Sequence, residues 1–250
     1  MTTHFFLLLA AGAIAGGLVN GLAGFGTALF ALGFWLQIMS PTQAVSVVVI
    51  MSIVSGLQGL YVVRHSIAAN PGRLARFLLP AFVGVPFGTA ILSMIDPETL
   101  KLGIAIFLML YGAFFIARRS LPKFERPTPV GDCMIGLAGG VLGGAASLSG
   151  ALPTMWCALR PWTKMEQRAV LQPFNVAVLA LTATVLAIKG SYTGHVLIVI
   201  ATALPITVIA AQVGIVIYRQ LSDDQFRRLL ITLMFVSGLV LFAREAMAFA

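Results

Sequence analysis

Between His4 and Arg64 the chain carries no Lys, Arg, Asp or Glu, and its long apolar runs are interrupted by glycine rather than by charge. Crossing the hydrocarbon takes ~20 residues, so several membrane passes fill that stretch. Read in order, the pattern predicts two apolar pieces, Phe5 to Leu22 and Phe25 to Ile38, divided at Ala23-Gly24. Spans follow at Ala44 to Val63, Leu74 to Met94 and Thr99 to Ile116. A polar linker, Arg118 to Val130, has three prolines and five charges. Beyond it come a second short pair, Met134 to Ala146 and Ala151 to Leu159, and spans at Ala169 to Ile188, Val196 to Tyr218 and Phe226 to Phe242. Phe25 to Ile38 would be only ~21 Å long as a helix, short of the ~30 Å of hydrocarbon, so each pair is expected to be a re-entrant V.

The two breaks resemble one another. Gly136 to Pro153 is too glycine-rich for a good helix yet uncharged, and Gly16 to Leu29 has paired glycines, a small polar interruption and a resumed apolar run in the same order. Other landmarks recur at nearly constant offset: Gly26 with Gly150, Leu79-Pro80 with Leu204-Pro205, Gly112 with Gly238, Ala117-Arg118 with Ala243-Arg244. The reading is therefore an all-α polytopic membrane protein of two repeats, residues 1–118 and 131–250, joined by a cytoplasmic linker at 119–130. Each repeat is a broken re-entrant pair plus three spans. Matched helix interruptions in two halves point to a transporter binding site.

Charge then orients the layout. Alternating the loops between two sides gives thirteen of the sixteen Lys and Arg to one side and leaves Lys101, Lys189 and Arg244 on the other. By the positive-inside rule the thirteen face the cytoplasm and both termini face out. Each half then makes an odd number of net crossings, so the repeats are inverted. Trp35, Trp156, Trp162, Tyr61, Tyr111 and Tyr218 fall near predicted span ends, where interfacial anchors are expected. No Asp or Glu lies within a predicted span, which disfavours a buried proton relay.

Composition agrees with this class. Hydrophobic residues make up 59% and charged residues 10% of the 250, with a mean hydropathy of +1.00. The net charge of +8 is read as topology and not as a nucleic-acid footprint. The first apolar segment lacks a positive n-region, so no cleaved signal peptide is expected. Cys133 and Cys157 have neither Cys-x-x-Cys spacing nor a neighbouring His cluster and are read as packing residues, so no metal and no cofactor is expected. His4, His65 and His195 are read as surface residues.

The helices that resume after each break would present free N–H groups and the positive end of a dipole to a small anion. Asn20, Gly24, Gly26 and Thr27 in the first half, with Ser147, Ser149 and Gly150 in the second, are the candidate ligands. Glycine admits close approach to the backbone, and the hydroxyls and the amide donate without adding a buried charge. The Gly-x-x-x-Gly spacings at Gly12/Gly16, Gly17/Gly21, Gly136/Gly140 and Gly140/Gly144 fit small-residue packing faces equally well, and such faces leave room for a homodimer. Gln172 and Asn175 either line the cavity or bond between helices. Arg168, at the start of the same span, either draws an anion inward or marks the cytoplasmic end.

The segments Gly21-Leu22-Ala23-Gly24-Phe25-Gly26 and Gly139-Gly140-Val141-Leu142-Gly143-Gly144-Ala145-Ala146-Ser147-Leu148-Ser149-Gly150-Ala151-Leu152-Pro153, with the two similar halves, resemble the sulfite exporter family TauE/SafE over nearly the whole chain. That resemblance implies a bacterial inner-membrane permease, without cofactor, that exports small sulfur-containing anions such as sulfite, sulfonates or sulfoacetate. The first segment departs from the pattern in having Phe30 roughly where the second has Pro153. A passive anion channel would use the same helix termini. An intramembrane enzyme is the rival from another class, and its usual equipment, a His-Glu-x-x-His helix or paired intramembrane aspartates, is absent from the sequence.

Overall fold

The computed structural model describes residues 3–94 and 128–226, together with Phe124 and isolated positions within 99–113 and 228–239. The spans expected at Thr99 to Ile116 and Phe226 to Phe242, most of the linker, and Tyr111 lie outside the described residues. The helices are α1 (Thr3–Ala23), α2 (Thr27–Trp35), α3 (Pro41–Ala69), α4 (Pro71–Met94), α5 (Pro129–Ala146), α6 (Ala151–Ala158), α7 (Lys164–Ile188) and α8 (Gly194–Gln220). Among the described residues the fold is all-helical. Six of these helices, all but α2 and α6, are long and apolar enough to cross a membrane. The protein is a multi-pass membrane protein.

Two helix starts set positions that matter below. Ser40 and Gln43 form a reciprocal capping box at α3, and Thr163 and Glu166 form one at α7. Each satisfies two backbone donors that would otherwise lack partners. The box at Thr163 starts α7 well before Ala169, so Arg168 lies inside the helix and not at its edge. Likewise α3 runs past Val63, and Arg64 and His65 are helical.

The packing occurs in matched pairs. α1 lies along α8 in the same direction: a Cβ on Gly17 would strike the Thr207 carbonyl, one on Gly21 the Ala211 carbonyl, and one on Gly214 the Leu18 carbonyl. α5 lies along α4 in the same direction, with Gly140 against Ala81, Gly144 against Val85 and Gly88 against Val141. These glycines allow backbones to touch, which is what small-residue faces contribute where no solvent drives association. The Gly-x-x-x-Gly faces that left room for a homodimer are therefore covered within the chain, by α8, by α4 and, at Gly12 and Gly16, by α2.

α3 and α7 cross at the centre, antiparallel, with Gly56 facing Val176 and Gly59 facing Gln172. Charged side chains gather at one end of the bundle. Arg73 at the start of α4 pairs with Glu166 at the start of α7 at 3.1 Å, and Lys164 Nζ donates to the Leu221 carbonyl just beyond α8. α4 and α7 thus begin where α8 ends. At the opposite end Lys189 donates to the Thr89 carbonyl at 3.0 Å.

Two readings change here. Trp35 is fully buried and donates to the Leu9 carbonyl at 3.1 Å, and Tyr218 is buried beneath Arg168. Neither is an interfacial anchor, because each ring finds its polar partner inside the protein; Tyr61 is exposed as an anchor would be. Asp132, just outside the predicted span Met134 to Ala146, is at a helix end. It lies in the first turn of α5, is buried, and accepts from Trp156 Nε1 at 2.7 Å and Arg160 at 3.1 Å.

Candidate functional site

Both helix breaks rest on a left-handed residue. α1 stops where Gly24 takes φ 84, and α5 stops at Ser147 with φ 58. Gly24 adopts this conformation without steric cost; Ser147 does so against it and is held by its N–H bond to Gly143 at 3.0 Å, with Leu148 N–H bonded to Leu142 at 3.1 Å. The chain then turns into α2 through Gly26, also left-handed, and into α6 through Gly150. Neither Gly26 nor Gly150 has a side chain with which to cap its helix. α3, α7 and α8, by contrast, begin on Ser40, Thr163 and Thr193, whose hydroxyls accept from the first turn. The half-helices thus start without a side-chain cap, and at α6 the Ala151 amide is bonded instead to the Leu148 carbonyl at 3.2 Å.

The breaks meet. Phe25, between the two left-handed glycines, is buried with its side chain against Gly150, where an added Cβ would lie 2.6 Å from Phe25 Cβ. Around the first break, Asn20 donates to Thr27 Oγ1 at 2.7 Å and to the Ser52 carbonyl at 3.4 Å. Around the second, Ser149 donates to Asn175 Oδ1. Gln172, on α7, reaches the first break: it donates to the Gly56 carbonyl at 3.0 Å, and its carbonyl end fills the space a side chain at Gly24 would need. The nine candidate residues thus lie at or beside the two breaks, eight of them buried and Gly26 half-buried against Val19. For Gln172 and Asn175 both alternatives apply, since each bonds to another helix while flanking a break.

Several polar atoms here are buried without a partner. They include the Ser147 hydroxyl, Asn175 Nδ2, Asn20 Oδ1 and the Thr154 hydroxyl, the last in the second turn of α6. A buried donor without an acceptor costs about 1–3 kcal/mol, so a cluster of them marks a place where the fold forgoes stability.

Arg168 is the residue the sequence reading understated. Its side chain is fully buried, stacks 4.1 Å from the Tyr218 ring centroid, and donates to Gly21 O at 2.8 Å, Leu22 O at 3.3 Å and Gln172 Oε1 at 3.3 Å. The guanidinium thus caps the carbonyl end of α1, the negative end of its dipole. The signal was available in the spacing: residues 168, 172 and 175 share one face of a helix. Phe25 and the pair Gly56 and Gly59, which make room for Gln172, were also missed.

Paired broken helices, glycine-faced spans and a buried polar site between two halves define a polytopic membrane transport protein. Residues 8–241 match the family described as sulfite exporter TauE/SafE, and the chain belongs to that family. Membership makes it a membrane transporter of the sulfur-anion class. No curated protein matches the chain.

Proposed function

We propose that the protein exports small sulfur-containing anions, such as sulfite, sulfonates or sulfoacetate, across the bacterial inner membrane, and that the anion binds where the two helix breaks meet. The observation that carries this reading is the second break, where the unpartnered donors Ser147 Oγ and Asn175 Nδ2 lie beside a half-helix start that has no side-chain cap. Donors left over in a buried site call for an acceptor, and a helix N-terminus favours a negatively charged one. Asn175 lies eleven residues into α7, ~16 Å along its axis and so close to the middle of a ~30 Å hydrocarbon layer.

The directions of the helices support two inverted repeats, 1–118 and 131–250. α1 runs with α8, α5 runs with α4, and those two pairs run oppositely. A site at the contact between such repeats suits alternating access by rocking of one repeat on the other. The gathering of Arg73, Arg76, Arg160 and Lys164 at one end supports a cytoplasmic placement of that end, with both termini outside.

The test is transport by the purified protein in proteoliposomes over a panel of sulfite, sulfoacetate, taurine, thiosulfate and sulfate. Saturable uptake and counterflow of at least one sulfur oxyanion is the expected result. Unitary currents without counterflow would make the protein a channel, and movement of none of the panel would refute the reading.

A further inference from the structure

We infer that Arg168 is the buried countercharge for the transported ligand, and that the site accordingly selects monovalent oxyanions, a simple sulfonate or hydrogensulfite, over divalent ones, which narrows the class proposed above by leaving out sulfoacetate, a dianion at neutral pH. The inference rests on the transport reading above and adds to it the residue that sets charge selectivity.

Arg168 is fully buried, yet among the described residues it has no carboxylate partner: its hydrogen bonds go to two backbone carbonyls and one side-chain amide. A buried cation compensated only by dipoles is costly, and such a group in a membrane span marks a ligand path. A purely structural explanation, that a helix broken inside the membrane needs an arginine to cap it, fails on the other half of the chain. Aligning the capping boxes at Ser40 and Thr163 places Val45 opposite Arg168 and Ser52 opposite Asn175. Val45 is an ordinary buried core residue, and α5 ends at Ser147 on backbone bonds alone. The break can be built without the charge.

The charge also lies on the right surface. Arg168, Gln172 and Asn175 are successive buried polar positions on one face of α7. They run from the end of α1 past Gly24 to Ser149. At the far end wait the unpartnered Ser147 hydroxyl and Asn175 Nδ2. That face offers a ligand one positive charge, several neutral donors and no carboxylate among the described residues. One charge neutralises a monoanion, whereas a dianion would keep an uncompensated charge out of water. On binding, the guanidinium exchanges its contacts with the Gly21 and Leu22 carbonyls for the anion's oxygens, a bidentate geometry to which arginine is suited.

The experiment compares radiolabelled methanesulfonate uptake by the full-length protein and its variants in valinomycin-clamped proteoliposomes. Unlabelled methanesulfonate, sulfate and ethane-1,2-disulfonate serve as competitors. For the unaltered protein, methanesulfonate should compete and the two dianions should not; equal competition by sulfate would overturn the charge assignment. Arg168→Gln should raise KM about ten- to a hundredfold, the loss of one charge-assisted contact, and Arg168→Lys should recover part of it, since the charge is kept and the bidentate contact is not. Asn175→Asp, which places a negative charge on the same face without touching the α1 cap, should raise KM comparably. An unchanged KM in Asn175→Asp, or in a monodisperse Arg168→Gln, would overturn the inference. Absence of any uptake by the unaltered protein would instead count against the transport reading itself.

Discussion

Phe25 and Gly150 are in contact: the buried aromatic side chain between the glycines of the first break lies on the glycine that opens α6 in the second. The halves of the chain are thereby joined at the two places where their helices are interrupted. Substituting Gly150 by leucine drives a side chain into Phe25. Transport is expected to fall below detection, while the cost in stability stays near the ~1–3 kcal/mol of an overpacked core. Uptake in proteoliposomes and a melting curve in detergent separate the two effects, and full activity in Gly150→Leu would show that the contact is no part of the transport route.

Ser147 gives a sharper separation of folding from function. Its hydroxyl is buried and has no partner, so Ser147→Ala removes an unsatisfied group and should leave the melting temperature unchanged or raised. If that hydroxyl donates to the anion, apparent affinity should drop by about 1–3 kcal/mol. Ser149→Ala is expected to weaken binding by a similar amount and also to destabilise, because it deprives Asn175 of its partner. Wild-type KM in both variants would remove the hydroxyls from the site.

The glycine at the first break is constrained twice over, by φ 84 and by Gln172 Oε1 lying 2.7 Å from the place of a Cβ. Gly24→Ala should therefore destabilise by about 1–2 kcal/mol from backbone strain alone. The double variant Gly24→Ala with Gln172→Ala should recover the part that is steric. Equal melting temperatures for the single variant and the unaltered protein would contradict this geometry.

Much of this arrangement was legible in the sequence. Glycine runs amid charge-free apolar sequence located both breaks, and the nine candidate residues come from placing donors beside resumed helices. Arg168 was not recoverable from composition, since a basic residue near a span end is the commonest topological marker; only its register with Gln172 and Asn175 distinguishes it. The burial of Trp35 was equally hidden, because its partner is a backbone carbonyl, to which any residue could have contributed. The Gly-x-x-x-Gly spacings were ambiguous between ligand approach and packing. Contacts with the Thr207, Ala211, Ala81 and Val85 carbonyls resolve them as packing.

Asp132 bears on the energy source. It is buried, yet Arg160 lies 3.1 Å away and Arg76 4.0 Å away, so it is held as an ion pair. Asp132→Asn leaves Arg160 buried beside a neutral partner and is expected to destabilise by about 3–5 kcal/mol. Transport per folded molecule should persist and should follow the membrane potential, worth ~2.3 kcal/mol per charge at 100 mV, with an inside-negative cell expelling anions. Clamping proteoliposomes with potassium and valinomycin checks this. Uptake that ignores the potential and follows a pH gradient, with the gradient dependence lost in Asp132→Asn, would make this carboxylate a proton carrier.

Topology is open to direct labelling. In a background without Cys133 and Cys157, a cysteine replacing Thr3 should react with an impermeant reagent added to intact cells, and one replacing Thr128 should react only after permeabilisation. Labelling of the Thr128 position from outside would reverse the assigned orientation.

The glycine contacts that set α1 on α8 and α4 on α5 also fix an order of assembly. During synthesis the first helix enters the bilayer with its glycine face bare and must wait for nearly the whole remaining chain before α8 arrives to cover it, whereas α4 meets α5 almost at once. The early-made helix therefore depends on the late-made one, and a ribosome stalled after the first half would leave a fragment in which α2 covers Gly12 and Gly16 but Gly17 and Gly21 lack their α8 partner.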